Sequence, residues 1–278
     1  MVKRFLQTGE YTNKTKKRTV PCDSTILDLQ PLEKVDPEIM KWQKPCMRLG
    51  GALNWVAWFT RQDIGFALNA CMKCVGGASE HLYLTMLGIL SFLEATASRK
   101  LTYGTNADSN LRKLVIDNSD SIRHDIFRPG DPITFVDTGG GARPMQSAFV
   151  TLHGGLIGAR ISRISSPTLS QCEAEWFGAT AGVTLLQSLE PVLSFLGNDH
   201  GLPMILFCDN KAACMLSDSN HSTRRMRHVA VRLAYLQERV NEGFAMLIHI
   251  NTSGNIADLG TKPLPAKVFH YLCSYIWS

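Results

Sequence analysis

Four acidic side chains in separate parts of the chain have the types and positions that could do chemistry. Asp137 ends the apolar segment PITFVD and Asp209 ends MILFCD, so both are placed at the ends of predicted strands. Glu175 lies in SQCEAEW at the start of a predicted helix, and Asp258 follows the strand-like AMLIHIN and the turn TSGN. Such carboxylates can meet at one edge of a sheet. Four close carboxylates repel one another unless hard cations neutralise them, so the sequence predicts a Mg²⁺ site.

Hydrophobic periodicity indicates the elements that must position these acids. ITFVD, QSAFVTL and LIGARISRI are short strand patterns, and PMILFC and AMLIHIN are two later ones. SQCEAEWFGATAGVTLLQSL reads as a long helix, with Ser170 as N-cap and Glu173 completing a capping box. KAACMLS predicts a short helix, and TRRMRHVAVRLAYLQERVNEG an amphipathic one. The predicted fold class is therefore α/β, a mixed five-stranded sheet flanked by helices and preceded by a small helical segment.

Changes of pattern predict four regions. Residues 1–45 read as a polar basic tail or linker, whose run KTKKR at 14–18 is a solvated segment or, alternatively, a nuclear-localisation or RNA-contacting one. Residues 46–104 repeat apolar side chains at helical spacing, and the polar stretch 105–130 reads as a linker. Residues 131–278 carry the sheet pattern.

Composition sets broad limits on the function. The chain has 278 residues with 45% hydrophobic and 19% charged, which is typical of a globular protein, and its formal net charge of +5 permits a nucleic-acid partner without requiring one. Eight irregularly spaced cysteines favour a reducing compartment over a disulfide framework. No signal peptide or membrane-spanning run is present in the sequence, so an intracellular location, cytoplasmic or nuclear, is expected, with no membrane partner.

Five motifs in order resemble the C-terminal part of Ty1/copia-type retrotransposon Pol polyproteins. SQCEAEWFGA is similar to the family's S-T-x-E-A-E-Y-x-A, and FCDNKAA to x-x-D-N-Q-x-A. RMRHVAVRLAYLQERVNEG is similar to R-T-K-H-I-D-I-R-Y-H-x-I-R-E-x-V-x-x-G, and NIADLGTKPLP to x-x-A-D-x-x-T-K-P-L-P. Upstream, GGALNWVAWFTRQDIGFALN resembles G-x-L-x-Y-L-x-x-x-T-R-P-D-I-x-F-A-V. The resemblance covers roughly residues 46–278. It identifies 46–104 as like the segment that connects the reverse-transcriptase palm to the ribonuclease H domain.

The resemblance implies a ribonuclease H-like fold and an enzyme that cleaves the RNA strand of RNA–DNA hybrids. In that mechanism four acids hold two Mg²⁺ ions, for which Mn²⁺ can substitute; one ion activates a water and the other stabilises the leaving 3′ oxygen. The matching positions, expected to be both catalytic and metal-binding, are Asp137, Glu175, Asp209 and Asp258. Glu175 is preferred to Glu173 because a small residue, Gly178, follows it three positions later. Glu173 is then a helix-start acid.

A basic helix is expected to contact the phosphates of the hybrid without reading its sequence. A solvated helix face is the alternative for each of its residues. The polymerase portion of a reverse transcriptase is a further expected partner. The predicted nucleic-acid-binding residues are Asn210, Arg224, Arg225, Arg227, His228 and Arg232.

Asp137 also fits a second enzyme class. FVDTGG reads as an aspartic-protease motif, and Leu156-Ile157-Gly158 offers the later apolar-apolar-Gly that such proteases need. About twenty residues between the two motifs are too few for a flap and several strands, and the downstream helices have no place in an all-β protease.

Departures from the family pattern favour a third hypothesis, a catalytically inactive retroelement remnant that binds nucleic acid. Asp137 is followed by Thr-Gly-Gly-Gly where the family has D-A-D-W, and Ala230 and Ala234 replace the usual Asp and His. No Y-x-D-D polymerase motif is present. The expectation is that the chain is a polyprotein fragment, a truncated remnant or a reused domain.

Overall fold

The computed structural model describes residues 18–33, 36–119, 128–141, 143–198, 203–217 and 230–278. The chain divides into two compact units. One comprises Met1–Lys100 with Pro263–His270, and the other comprises Leu101–Lys262 with Tyr271–Ser278. The domain boundaries inferred from sequence stay predictions.

The first unit is helical, as the apolar periodicity of residues 46–104 predicts. Ser79 is the N-cap of the helix that begins at Glu80, because its side chain accepts a hydrogen bond from Leu82 N. Buried side chains from all three helices, including Leu53, Leu68 and Met86, form its core. After a short 3₁₀ turn at Ser24–Asp28, the helices are α1 (Glu38–Phe59), α2 (Gly65–Met72) and α3 (Glu80–Ala95).

Helix α1 begins at Glu38, so the last residues of the predicted tail 1–45 are helical. Pro45 lies inside the helix, where proline removes one helical hydrogen bond. Buried Ile39, Cys46 and Leu49 lie on the same side of α1, and their burial offsets that loss.

The second unit contains the predicted mixed sheet. Its elements are α4 (Thr105–Asp117), β1 (Ile133–Thr138), β2 (Met145–Leu152), β3 (Gly155–Arg163), α5 (Gln171–Phe195), β4 (Met204–Cys208), α6 (Lys211–Ser217), α7 (Ala230–Asn241) and β5 (Ala245–His249). The C-terminal helix α8 spans Ala266–Cys273, and its residues up to His270 belong to the first unit.

The strand order is β3-β2-β1-β4-β5. β1, β2 and β3 pair antiparallel, whereas β4 pairs parallel with both β1 and β5. The fold class predicted from sequence, an α/β arrangement with a mixed five-stranded sheet and flanking helices, is confirmed. In this order β1 and β4 are central neighbours, so Asp137 near the end of β1 and Asp209 directly after β4 lie at the same edge.

Two glycines let helix α5 lie close to the sheet. A Cβ on Gly178 would meet the Asp137 carbonyl oxygen at 3.2 Å, and one on Gly182 would meet Val136 Cγ1 at 2.6 Å. Trp176, Val183 and other apolar side chains of α5 are buried in the core beneath. This close packing places the start of α5 beside the end of β1.

Helix α4 corrects the sequence interpretation of residues 105–130 as a linker. Its buried side chains Leu111, Leu114 and Val115 follow helical spacing, and Arg112 Nε lies 2.7 Å from Asp108 Oδ2 one turn earlier. The surrounding Asp, Asn and Ser residues obscured this short apolar stripe. Residues 120–127 lie outside the described part of the chain.

All eight cysteines are free thiols. Among the described residues, no helix combines the length and the apolar character that crossing a bilayer requires.

Candidate metal centre

The four acids predicted from sequence come together in the second unit. Asp137, Asp209 and Asp258 each offer a carboxylate oxygen, and these atoms lie within 4.8 Å of one another. Glu175, Cys208 and Asp209 form an overlapping group that meets the same limit. Because Asp209 is shared, four carboxylates from β1, α5, the end of β4 and the 3₁₀ turn at Ile256–Gly260 form one cluster.

Burial differs within the cluster. Asp137, Glu175 and Asp258 are each only 2% exposed, whereas Asp209 is half-buried. Three of the acids are thus withdrawn from water, and Asp209 is the member most open to solvent.

The pKa values of the buried acids are raised. Burial raises the pKa of Glu175 to about 8, and neighbouring Asp137 adds to the shift. Burial also raises the pKa of Asp137 well above its usual range, followed by repulsion from Asp258 and Asp209. For Asp258, burial is again the main cause of a raised pKa. The cluster therefore resists carrying its full negative charge unless cations are supplied.

Two neighbours from the segment after Asp258 contact the buried aspartates. Thr261 Oγ1 donates a hydrogen bond to Asp137 Oδ2, and Lys262 Nζ lies 2.8 Å from Asp258 Oδ1. Burial lowers the pKa of Lys262, but Asp137 and Asp258 more than offset this and raise it overall. Lys262 is therefore an ammonium ion that compensates part of the negative charge.

Glu175 is held by the first turn of its own helix. Gln171 Nε2 donates to Glu175 Oε1 at 2.7 Å and to the Thr138 carbonyl oxygen at 3.1 Å, so one amide links α5 to the end of β1. On the other side, Cys208 Sγ lies 3.8 Å from Glu175 Oε2.

Glu173 has a different position from Glu175. Ser170 Oγ accepts from Glu173 N at 3.1 Å, as the predicted N-cap requires, and Glu173 Oε2 accepts from Leu169 N at 2.8 Å. Glu173 thus stabilises the start of α5, where an acidic side chain also meets the positive end of the helix dipole.

Asp209 and Asn210 sit at the junction of β4 and α6. Thr252 Oγ1 donates to Asp209 Oδ2 at 3.0 Å. Asn210 Oδ1 accepts from Ala213 N at 3.0 Å, the geometry of an N-cap for α6. A nucleic-acid contact by Asn210 stays a prediction beside this local role.

Hydrogen bonds to the central strands fix the loop that carries Asp258. Asn255 Nδ2 donates to the Val136 carbonyl oxygen at 3.0 Å, and its Oδ1 accepts from Ala257 N at 3.2 Å. Ser147 Oγ donates to the Ala257 carbonyl oxygen at 2.6 Å. These bonds tie Asp258 to the strand that bears Asp137.

The predicted basic helix is described only from Ala230 onward. Arg232 is exposed, and its Cζ lies 4.0 Å from the centre of the Phe177 ring, a cation–π contact. The other predicted phosphate contacts lie outside the described residues: Arg224, Arg225, Arg227 and His228.

Sequence reasoning missed the neighbours that hold the acids, chiefly Gln171, Thr252, Thr261 and Lys262. A signal for Lys262 was present, because it follows Asp258 by four residues within the TKP of the NIADLGTKPLP motif. For Thr252, no local pattern indicates its contact with Asp209, which lies 43 residues earlier in the chain.

The aspartic-protease motif FVDTGG does not lie in the all-β surroundings that such a protease has. Asp137 lies in a mixed sheet covered by a long helix, and Leu156–Gly158 is part of β3, paired antiparallel with β2. These are not the surroundings of an all-β protease.

Comparison with known sequences finds retroelement polyproteins among the relatives of this chain. The chain is 25% identical over 226 residues to the retrovirus-related Pol polyprotein from transposon RE1 of Arabidopsis thaliana, an alignment that covers 81% of the chain and 14% of the relative. It is 26% identical over 253 residues to the corresponding polyprotein from transposon TNT 1-94 of Nicotiana tabacum, covering 91% and 17%. Its homologues are Ty1/copia-type retrotransposon Pol polyproteins.

A further Pol relative is the Ty1-NL2 Gag-Pol polyprotein of Saccharomyces cerevisiae, 21% identical over 265 residues, covering 93% of the chain and 14% of the relative. The chain therefore spans only about a sixth or less of the length of these Pol relatives. No protein-family model matches the chain.

Solved structures similar to the chain include the N-terminal ribonuclease H domain of a Mycobacterium tuberculosis protein, at 14% identity and a TM-score of 0.35, covering 52% of the chain and 97% of that structure. Another is a ribonuclease H1 in complex with an RNA/DNA hybrid, at 16% identity and a TM-score of 0.33, covering 47% and 94%. Because these TM-scores are low, the fold class rests on the order and directions of the strands.

Proposed function

We propose that this chain is a ribonuclease H-type endonuclease that cleaves the RNA strand of RNA–DNA hybrids within a retrotransposon Pol polyprotein. The convergence of Asp137, Glu175, Asp209 and Asp258 is the observation that carries the proposal, because four separate elements each deliver a carboxylate to one place. The order of these acids along the chain matches the family motifs, and the homologues are Pol polyproteins.

The donor set fits hard divalent cations. Carboxylate oxygens are the ligands that Mg²⁺ and Mn²⁺ prefer, and three of these four acids are buried against their own repulsion. Lys262 supplies one positive charge, which is less than four carboxylates need. Asp137, Glu175, Asp209 and Asp258 would hold the ions, and bound divalent cations would polarise the phosphate and lower the pKa of a water.

The chain's own residues prepare this chemistry. Gln171 fixes the orientation of Glu175, and Thr252 fixes that of Asp209. Asp209 is the most accessible of the four acids, so the scissile phosphate would approach from its side. Asp137 and Asp258 form the buried side of the cluster. Asp137 lies on β1 and accepts a hydrogen bond from Thr261, and the loop that carries Asp258 is hydrogen-bonded to β1 through Asn255.

The test is a cleavage assay with an RNA–DNA hybrid labelled on the RNA strand, run in Mg²⁺ and in EDTA. We expect Mg²⁺-dependent RNA cleavage by the full chain and no cleavage of the matched DNA duplex. Asp209→Asn should remove the activity. Glu238→Gln, a change of the same charge on the exposed side of α7, is the matched control.

Two outcomes would overturn the proposal: an inactive parent chain, or equal cleavage by Asp209→Asn. Metal-independent, salt-sensitive binding of the hybrid without turnover would support the inactive-remnant hypothesis instead. The Thr-Gly-Gly-Gly that follows Asp137 in place of the family's acid and Trp motivates that alternative.

A further inference from the structure

One face of helix α1 in the first unit exposes three aromatic rings. Trp55, Trp58 and Phe59 are 55%, 66% and 62% exposed. The rings of Trp55 and Phe59 lie 5.0 Å apart between centroids. Met40 and Met47, farther along the helix, are exposed as well. Large apolar side chains clustered on a surface indicate a binding site more often than chance exposure does.

The same face carries positive charge. Lys41, Lys44 and Arg48 are all exposed on α1. Among the described residues, none of the three forms an ion pair with a carboxylate. Glu38 is the one acidic residue in the sequence of α1, and it lies in the first turn, where its Oε1 accepts from Glu80 N.

Helical geometry aligns the cations with the aromatic rings. At 100° per residue, Lys44, Arg48, Trp55 and Trp58 all fall within about a quarter of the helix circumference. At about 1.5 Å per residue, Lys44 and Trp58 are separated by roughly 21 Å along the axis. The cations, nearer the N-terminus of α1, and the rings, nearer its C-terminus, thus lie along one side of the helix. We refer to Lys41, Lys44, Arg48, Trp55, Trp58 and Phe59 as the aromatic–cationic face.

We propose that the aromatic–cationic face binds single-stranded nucleic acid. Three cations that form no ion pair among the described residues complement a phosphate backbone, and exposed indole and phenyl rings are platforms on which unpaired bases stack. The exposed cations and rings are not part of the core of the first unit, because other residues of α1, including Cys46, Leu49 and Leu53, form its buried side.

An unpaired strand fits this face better than a duplex does. In a duplex each base is already stacked on its neighbours, so the rings of Trp55 and Trp58 have no free base face to contact. Phosphate contacts by Lys44 and Arg48 alone would hold single and double strands alike. Preference for the single strand is therefore the signature of the aromatic residues.

The experiment measures binding of fluorescently labelled single-stranded RNA and DNA oligonucleotides to the full chain in EDTA, with an RNA–DNA hybrid of the same sequence for comparison. EDTA separates the result from the cleavage proposal, since no divalent ion is available. The double variant Trp55→Ala/Trp58→Ala should weaken single-strand binding by about tenfold or more. Lys44→Gln/Arg48→Gln should reduce the slope of log affinity against log salt by about 1.4.

A matched control comes from the second unit. Phe195, 88% exposed, and Leu196, 67% exposed, end helix α5 without a lysine or arginine nearby in sequence, so Phe195→Ala/Leu196→Ala should leave the affinity unchanged. Circular dichroism of each variant shows whether it is folded, and Trp58→Phe, which keeps an aromatic ring, should retain most of the binding.

Three results would overturn the proposal. The first is equal affinity of the parent and the folded tryptophan variant for single strands. The second is a hybrid bound as tightly as the single strands, with both weakened equally by the tryptophan changes. The third is self-association of the parent chain that the tryptophan variant abolishes while nucleic-acid binding stays intact, which would assign the face to a protein partner.

Discussion

Both units bury acidic side chains, but they balance the charge in opposite ways. In the first unit, Asp63 is 1% exposed and accepts two hydrogen bonds from Arg61, at 3.0 and 2.9 Å, and one from Arg99 at 3.2 Å. Arg61 also donates to the Thr96 carbonyl oxygen at 3.1 Å. In the second unit, four carboxylates lie close together, and the ammonium group of Lys262 pairs with one of them, Asp258.

We infer that this difference separates a structural ion cluster in the first unit from the proposed metal centre in the second. Asp63 has more positive charge around it than it needs, so its network is complete within the protein. Asp137, Glu175 and Asp258 have raised pKa values because burial and mutual repulsion are only partly offset. An arrangement that costs stability in the absence of a ligand is expected where a ligand acts. The predictions below test whether the contrast holds.

The largest expected effect distinguishes two neighbouring acids of α5. Glu175→Gln should lower the rate of hybrid cleavage on the order of a thousandfold, because it removes a charged group from the proposed metal centre. Glu173→Gln should cost at most about 1 kcal/mol of stability, since it changes only the helix start. Steady-state cleavage rates and thermal denaturation of both variants check this, and the reverse ranking would show that the wrong glutamate was chosen.

Next in size is the loss of stability expected when Asp63 is removed from its cluster with Arg61 and Arg99. Asp63→Asn should lower the free energy of unfolding by about 3 kcal/mol, because it leaves two buried or half-buried arginines without their carboxylate. Urea denaturation followed by circular dichroism measures the loss. Asp28→Asn, at an exposed position of the same unit, is the control. Equal stability of the two variants would mean that the Asp63 network contributes nothing.

The four acids of the second unit should make the stability of the protein depend on pH. Glu175 has a pKa raised from 4.5 to about 8, so between these values the folded state holds a proton that the unfolded state has lost. In EDTA, the free energy of unfolding should therefore fall as pH rises from about 4.5 to 8. Mg²⁺ should reverse this trend, because it binds the ionised carboxylates.

Thermal denaturation across this pH range, with EDTA and with Mg²⁺, measures both effects. Glu175→Gln should flatten the part of the EDTA curve that Glu175 contributes. A parent chain whose stability in EDTA rises steadily up to pH 8 would contradict the raised pKa.

The smallest expected effect comes from Lys262, the lysine beside the proposed metal centre. Lys262→Met removes a positive charge 2.8 Å from Asp258, so it should tighten divalent-ion binding by a few-fold while lowering the stability of the metal-free protein. Ion titration measures the expected rise in affinity, and denaturation in EDTA measures the expected fall in stability. Weaker ion binding by Lys262→Met would show that the lysine mainly orients Asp258.

Much of the site could be predicted because its acids end regular patterns. Asp137 and Asp209 close apolar strands, and a parallel β1–β4 pair necessarily brings such ends to one edge. The choice of Glu175 over Glu173 depended on Gly178, and the structure shows why a small residue is needed there, since the carbonyl oxygen of Asp137 lies against it.

What the sequence did not reveal depends on contacts between distant segments or on weak patterns. Thr261 reaches Asp137 across 124 residues, and neither residue has a local pattern that indicates the contact. Helix α4 was missed because only a short stripe of its surface is apolar. The start of α1 was placed late because residues 1–45 read as polar, whereas the burial of Ile39 is a tertiary effect.

The most direct test of the central claim is a calorimetric titration of the full chain with Mn²⁺ at pH 7 in two buffers of different ionisation enthalpy. If the carboxylates of the second unit form a metal centre, binding will release protons, chiefly from Glu175, and Asp209→Asn will abolish it while Glu238→Gln will not. Absence of binding by the parent chain, or binding that is unchanged in Asp209→Asn, would contradict the account.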